Sequence, residues 1–167
     1  MAIDELLFIL TFVTTLGCAV MAGVFFPFST FTMQALVRLP PAQGIAAMQA
    51  INLAVASGYR LLNPWFALAF VGTGVACVLE ACVSLLNWQE PAAAYQLAAS
   101  SLFLIGNVLV TLVFNVPLNQ ALAVVEAEST DGANLWTRYI ANWTAWNHIR
   151  VITALAAATL LAIAVSY

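Results

Sequence analysis

Residues 6–28 read LLFILTFVTTLGCAVMAGVFFPF, an apolar run without a charged side chain. Because roughly 20 apolar residues can cross the hydrocarbon core of a bilayer as an α-helix, this run predicts a membrane span. Three further runs of suitable length follow at residues 63–86, 92–114 and 144–166. Consecutive spans alternate in direction. The sequence therefore predicts an all-α membrane protein, an antiparallel four-helix transmembrane bundle that forms a single domain over residues 1–167.

The composition of the whole chain agrees with a membrane protein. Hydrophobic residues make up 64% of the 167 positions and charged residues 7%, whereas about a quarter of a soluble domain is charged. The four arginines are scattered and the net charge is −3, so the chain offers no basic patch for nucleic acid. Membrane lipids are therefore expected partners, and nucleic acid is excluded.

The connections between the spans predict additional short elements. Pro27 is expected to kink the end of the first span, and Pro117 to break the third, because proline lacks a backbone donor. Residues 44–56 predict a short amphipathic helix in the interface on one face of the bundle. Residues 133–143 predict a second helical piece that continues into the fourth span, after a turn at Ser129–Gly132.

Charged residues in the connections predict the orientation. Arg38, Arg60 and Arg138 fall on one side of the bundle, whereas Glu90 and the acidic residues near the N-terminus fall on the other. By the positive-inside rule, the arginine side faces the cytoplasm and both termini lie outside. The first apolar run is longer than a signal-peptide core and follows no basic residues, so we interpret it as a retained helix of a multi-pass protein.

Strongly polar side chains concentrate at the span ends that share the arginine side. With four antiparallel crossings these ends must meet, which indicates a polar pocket near one membrane face. A charge deep in a span costs roughly 2.5–3.5 kcal/mol on insertion scales, so such residues usually face a bundle interior. The candidates are Asn63, Asn107, Asn115, Asn119, Asn147, His148 and Arg150.

Structural roles for the same residues remain open. Arg150 could reach the headgroups while Trp143 and Trp146 form an interfacial belt. Asn107 and Asn115 lie eight residues apart on one predicted helix face, where they could bind a neighbouring helix instead of lining a pocket. Asn63 precedes a proline and is also a candidate N-cap, and Asn115 and Asn119 could satisfy backbone groups freed by Pro117.

Glu80 lies in the other half of the bilayer, at the depth of Thr11, Thr14 and Thr15. A membrane carboxyl group is either linked to proton movement or held neutral by hydrogen bonds, and we favour a neutral structural acid. One histidine and three dispersed cysteines do not supply a four-ligand zinc site, so no metal is expected.

Five blocks of sequence, in order, resemble the anthrone oxygenase family of small membrane proteins, and its bacterial branch in particular. They are GVFFPFSTFTMQAL at residues 23–36, PAQGIAAMQAIN at 41–52, Asn63-Pro64, NVPLN at 115–119, and WNHIR at 146–150 preceded by Trp143. The resemblance covers nearly the whole chain. It implies a bacterial inner-membrane protein and the cofactor-free oxidation of an anthrone by O2 to an anthraquinone.

The resemblance implies roles for individual residues. His148 would act as the general base on the acidic ring carbon, beside Asn147 and Arg150, because neutral imidazole is a suitable base near pH 7. Asn115, Asn119 or Arg150 would hydrogen-bond the enolate oxygen. Further candidate contacts to a lipophilic aromatic substrate are Asn63, Asn107, Gln49, Asn52, Trp143, Trp146, Phe25 and Phe28.

Two other functions stay open. A non-catalytic lipophile-binding or structural bundle would use its amides to satisfy a polar core, and a small carrier or channel would need a polar stripe across the whole membrane. Ala154, Ala158 and Ala162 repeat every four residues on the fourth span, a spacing that suits close helix packing. This alanine face suits contact with a second copy of the chain in a homo-oligomer.

Overall fold

The computed structural model describes residues 2–56 and 63–167, with the side chains of residues 5 onward in these ranges. Five helices form this part of the chain. Helix α1 covers residues 2–37 as an α-helix Ala2–Pro27, a π-helical turn Phe28–Thr32 and a last segment Met33–Val37. The others are α2 (Pro41–Ala56), α3 (Pro64–Leu86), α4 (Ala93–Val124) and α5 (Thr130–Ala164). Helices α1, α3, α4 and α5 are long and apolar enough to cross a membrane, so the chain is a multi-pass integral membrane protein.

The bundle is all-α, as predicted. Each long helix packs against two neighbours, since α1 and α4 both contact α3 and α5. Contacts between opposite helix ends confirm the alternating directions. Glu80, late in α3, bonds Thr11, early in α1, and Tyr95, early in α4, stacks on Tyr167, just after the end of α5.

The span boundaries differ from the prediction at three helices. Helix α3 matches residues 63–86 closely, but α1 continues to Val37, α4 to Val124, and α5 begins at Thr130. The expected break at Pro117 is wrong, because α4 continues through this position to Val124. Before it, α4 contains two π-helical segments, Leu104–Leu109 and Thr111–Asn115. Pro117 then takes an early position in the next α-helical segment, where a backbone N–H is not required.

Arg38 follows the end of α1 and Arg138 lies in the first part of α5, so both belong to the same end of the bundle, called the arginine end below. Arg60 lies outside the described residues. Asn63 caps α3, because its Oδ1 accepts from the backbone N–H of Trp65 at 3.0 Å and of Phe66 at 3.4 Å.

Helix α2 lies across the arginine end, as the short amphipathic helix was predicted to do. Its Ile45 and Met48 pack with Leu122 of α4 and with Trp136 of α5 in one apolar cluster. Gly44 permits this approach, because a Cβ atom there would lie 2.8 Å from the Trp136 ring. A second apolar cluster fills the middle of the bundle around Met21, Phe103 and Leu161.

Candidate functional site

A cavity of about 620 Å³ lies at the arginine end, and all five helices contribute to its wall. This volume falls within the usual range for small-molecule sites, roughly 300–1,000 Å³. Most of the wall is apolar and much of it aromatic. Its apolar lining includes Val24, Phe25, Phe28, Met48, Ile51, Leu53, Phe66, Phe70, Leu112, Val116 and Trp143.

A smaller set of polar side chains interrupts this apolar wall, namely Gln49, Asn52, Thr111, Asn115, Asn119, Gln120 and Arg150. Three of them hold buried polar atoms without a hydrogen-bond partner in the described part of the chain: Asn52 Nδ2, Asn115 Oδ1 and Arg150 Nε. Unpaired buried polar groups are costly, so they usually signal a missing partner or a functional site. The wall therefore combines flat apolar surfaces with buried polar atoms that are free to bond a ligand.

Arg150 is the charged group among the described residues of the cavity wall and is only 3% exposed. Its Nη2 donates to Asn147 Oδ1 at 2.8 Å and its Nη1 to Thr111 Oγ1 at 3.3 Å. The guanidinium carbon lies 4.0 Å from the centroid of the Phe25 ring and 5.0 Å from that of Trp143. This geometry excludes the alternative in which Arg150 reaches out to lipid headgroups.

Asn147 joins Arg150 to α1 and is fully buried. Its Nδ2 donates to the Phe25 carbonyl at 2.9 Å and to Ser29 Oγ at 2.7 Å, beside the π-helical turn Phe28–Thr32. A π-helical turn interrupts the regular α-helical hydrogen bonds, so a side chain of the neighbouring helix can bond a backbone carbonyl there. Asn147 does not line the cavity itself but holds two residues that do.

The predicted polar stripe of α4 faces α5. Asn107 Nδ2 donates to the Arg150 carbonyl at 2.8 Å, Thr111 binds the Arg150 side chain, and Asn115 Nδ2 donates to the Trp143 carbonyl at 3.3 Å. Thr111 and Asn115 line the cavity, whereas Asn107 lies outside it and connects the two helices. Both structural and pocket roles therefore occur along one stripe.

Asn119 organises the aromatic wall near the end of α4. Its Oδ1 accepts from the Tyr139 hydroxyl and from Trp143 Nε1, both at 2.8 Å. Trp143 also packs against Phe28, with ring centroids 5.5 Å apart. The Trp143 ring is therefore fixed from two sides where it lines the cavity.

Gln49 fastens α2 over the cavity. Its Nε2 donates to the Leu122 carbonyl at 2.8 Å and to the Val125 carbonyl at 3.1 Å. These carbonyls lie at the C-terminal end of α4, where the helix itself supplies no donors. Asn52, one turn further along α2, also lines the cavity.

Several predicted site residues are not brought to the cavity. His148, the candidate general base, is exposed on the outer side of α5 and is absent from the cavity wall. His148 lies two residues before Arg150 on α5. Because successive residues of an α-helix are about 100° apart, the two side chains lie on different sides of the helix. Trp146 stacks on Phe114 with centroids 3.6 Å apart and lines a separate groove of about 320 Å³. Asn63 serves as the cap of α3.

Three further lining residues have plain signals in the sequence but were not predicted. Phe66 and Phe70 are four residues apart on α3, a spacing that the sequence displays, and their rings stack with centroids 5.5 Å apart. Met48 directly precedes Gln49, a predicted site residue, on α2. Nothing in the sequence indicated the π-helical turns.

Glu80 belongs to a separate network in the opposite half of the bundle and is 1% exposed. Its Oε1 is 2.7 Å from Thr11 Oγ1, which also accepts from Gln96 Nε2 at 3.1 Å. The predicted contact with the threonines of α1 is therefore confirmed for Thr11. This network has no residue in common with the cavity wall.

A family model described as Anthrone oxygenase matches residues 52–160, well over half of the chain. The matched range contains Asn115, Asn119, Trp143 and Arg150, together with the segment of α4 that holds both π-helical turns. No curated protein and no solved structure shows a significant match to this chain.

Proposed function

Because this chain belongs to the anthrone oxygenase family, we propose that it oxidises a flat, lipophilic ketone of the anthrone type with O2 in the cavity at the arginine end. The observation that carries this proposal is the composition of the cavity wall. Aromatic side chains offer flat surfaces for a fused-ring ligand, and Asn115, Asn119 and Arg150 offer polar groups to its oxygen.

The proposed reaction needs no electrons from the protein. The ring carbon opposite the ketone loses a proton to water, which gives an electron-rich enolate. The enolate passes one electron to O2, and the resulting radical and superoxide combine to a peroxide at that carbon. The peroxide takes up a proton and then loses water as the new C=O bond forms. One anthrone and one O2 thus give one anthraquinone and one water.

The acceptor of the ring proton is a separate part of the proposal. His148 is the base that the resemblance to the family implies, but its exposed position outside the cavity wall supports transfer to water instead. No carboxylate or imidazole is present in the described cavity wall. We therefore expect His148→Ala to keep turnover within about twofold. A loss of turnover to the spontaneous rate, in a folded variant, would restore His148 as the base.

The experiment measures O2 uptake and quinone absorbance with purified protein in detergent and anthrone as substrate. Ala123→Phe adds a ring at the cavity wall, whereas Ala121→Phe adds the same ring at an exposed position of α4 outside the wall. Wild type and Ala121→Phe should form quinone well above the spontaneous rate, and Ala123→Phe should lose most of this excess. Equal rates with and without wild-type protein would contradict the proposal.

A non-catalytic lipophile-binding bundle is the second candidate. It is favoured by the same lack of a carboxylate or imidazole in the described wall. This candidate predicts that anthrone binds to the wild type and binds much more weakly to the Ala123→Phe variant. Neither protein should form quinone above the spontaneous rate. Parallel binding and turnover measurements on the same preparation therefore separate the two functions.

The proposed setting is a bacterial inner membrane, with the arginine end towards the cytoplasm and both termini outside. It is supported by Arg38 and Arg138, which lie at one end of the bundle. Alkaline phosphatase fused after Tyr167 should be active, because that enzyme matures only outside the cytoplasm. A substrate that partitions into lipid would then reach the cavity from the bilayer.

A further inference from the structure

The charge of Arg150 is buried without an acidic partner in the described part of the chain. Its two side-chain hydrogen bonds go to neutral acceptors, Thr111 Oγ1 and Asn147 Oδ1. A buried charge is strongly unfavourable unless an opposite charge or a dense set of hydrogen bonds compensates it. Among the residues that the structure describes, Arg150 therefore places an uncompensated positive charge in a cavity wall that is otherwise uncharged and largely apolar.

Two aromatic rings fix where this charge lies. The guanidinium carbon is 4.0 Å from the Phe25 centroid and 5.0 Å from the Trp143 centroid, so both rings attract it through their faces. Such contacts hold a cation in place but do not neutralise it. Phe25 and Trp143 also line the cavity, which puts the charge beside the surfaces on which a flat ligand would stack.

Resting on the proposed function, we propose that the cavity binds its ring ligand as an oxyanion, an enolate or a phenolate whose oxygen is held by Arg150. Asn147 is the positioning residue of this guanidinium, because it links Nη2 to the Phe25 carbonyl and to Ser29. An anionic oxygen compensates the buried charge, whereas a neutral ring of the same size leaves it uncompensated. The site thus selects acidic fused-ring compounds over neutral ones.

This role would also let the cavity promote oxidation although the described part of its wall contains no carboxylate or imidazole. A fixed cation stabilises the oxygen on which negative charge accumulates when the ring carbon loses its proton to water. The enolate is then the form that transfers an electron to O2. Arg150 acts only by its charge and keeps its own protons.

The test uses 2-hydroxyanthraquinone, whose ionised phenol absorbs at longer wavelength than the neutral form. In an apolar cavity without a cation, the pKa of the bound dye would rise above its value in protein-free micelles. With Arg150 in the wall, we expect that pKa to fall by at least one unit. The dye should then bind about tenfold more tightly in alkaline than in acid solution, because one unit of pKa corresponds to a tenfold change in affinity.

The control ligand is 2-methoxyanthraquinone, which has the same rings but no acidic proton and should bind with an affinity independent of pH. Arg150→Gln should reverse the sign of the dye shift, and Arg150→Lys should restore it in part. Asn147→Ala should weaken binding of the dye anion while the methoxy compound keeps its affinity. The wild-type titration does not depend on any variant being folded.

An unchanged or raised pKa of the dye on wild-type protein would overturn the inference. So would displacement of the dye by oleate but not by 2-naphthol at alkaline pH, a second acidic fused-ring compound, because that result would identify a lipid carboxylate as the ligand. Quinone formation from anthrone without a lowered dye pKa would leave the proposed function standing and this inference refuted. A lowered dye pKa without quinone formation would give the opposite result.

Discussion

Gly106→Ala should separate α4 from α5 near the cavity. A Cβ atom at this position would lie 2.5 Å from Thr153 Cβ and would also overlap both outer atoms of that side chain. The Cβ atom is fixed to the backbone, so side-chain rotation cannot relieve the overlap and the two helices must move apart. That movement stretches the bonds from Asn107 Nδ2 to the Arg150 carbonyl at 2.8 Å and to Thr153 Oγ1 at 3.3 Å.

The magnitude follows from three contributions. Overpacking of this kind costs about 1–3 kcal/mol. The two weakened hydrogen bonds contribute about 0.6 kcal/mol each, as measured inside membrane bundles. Better helix propensity of alanine offsets about 1 kcal/mol. We therefore expect a net loss of about 2 kcal/mol, which corresponds to a Tm lower by about 4–8 °C for a chain of this size.

The assay is thermal unfolding in detergent, with Gly23→Ala as the matched control because a Cβ atom there meets nothing within 4 Å. Thr153→Ala should not rescue Gly106→Ala, since its Cβ atom remains. By contrast, Thr73→Ala should rescue Gly17→Ala, because it leaves only a Cβ atom at 3.1 Å. If Gly106→Ala has the same Tm as Gly23→Ala and binds ligand as the wild type does, the close packing of α4 on α5 at Gly106 is refuted.

Two further predictions concern α2 and the separate acidic network. Gln49→Met removes both hydrogen bonds from Gln49 to the carbonyls at the end of α4. Amide hydrogen exchange in α2 should therefore accelerate, and ligand affinity should fall about fivefold. Hydrogen exchange in α3 should not change. Glu80→Gln keeps an acceptor for Thr11 and should shift the free energy of unfolding by less than about 1 kcal/mol, whereas Glu80→Leu removes it and should cost more. A larger loss for Glu80→Gln in thermal unfolding at neutral pH would argue against a neutral structural acid.

Hydropathy was sufficient for the number of spans, because crossing a bilayer demands a long apolar run whatever the details of packing. The sequence also placed Asn115, Asn119, Phe25 and Trp143 at the correct end of the bundle, since antiparallel spans share alternate ends. The side of a helix on which a residue lies was harder to predict. His148 and Arg150 are two residues apart in one motif, yet only Arg150 lines the cavity.

The π-helical turns explain why some positions could not be predicted. Each such turn changes the spacing of side chains around the axis, so an extrapolation in steps of 3.6 residues becomes inaccurate beyond it. The break expected at Pro117 was wrong because Pro117 lies at the start of the α-helical segment that follows a π-helical turn, where a proline is tolerated. Ala154 of the predicted alanine face is fully buried inside the bundle, and a homo-oligomer stays a prediction.

The two π-helical turns of α4 determine where the length of this protein can change. A π-helical turn holds about one residue more than an α-helical turn, so deletion of one residue inside it, such as Val108, restores a regular α-helix and leaves the residues beyond it at nearly their former angle around the axis. Helix α5 is α-helical throughout, so a deletion at Thr144 has no such turn to absorb it and would rotate everything beyond it by about 100° relative to the residues before it. Arg150 would then leave the cavity wall. We therefore expect α4 to tolerate the deletion of Val108 better than α5 tolerates the deletion of Thr144.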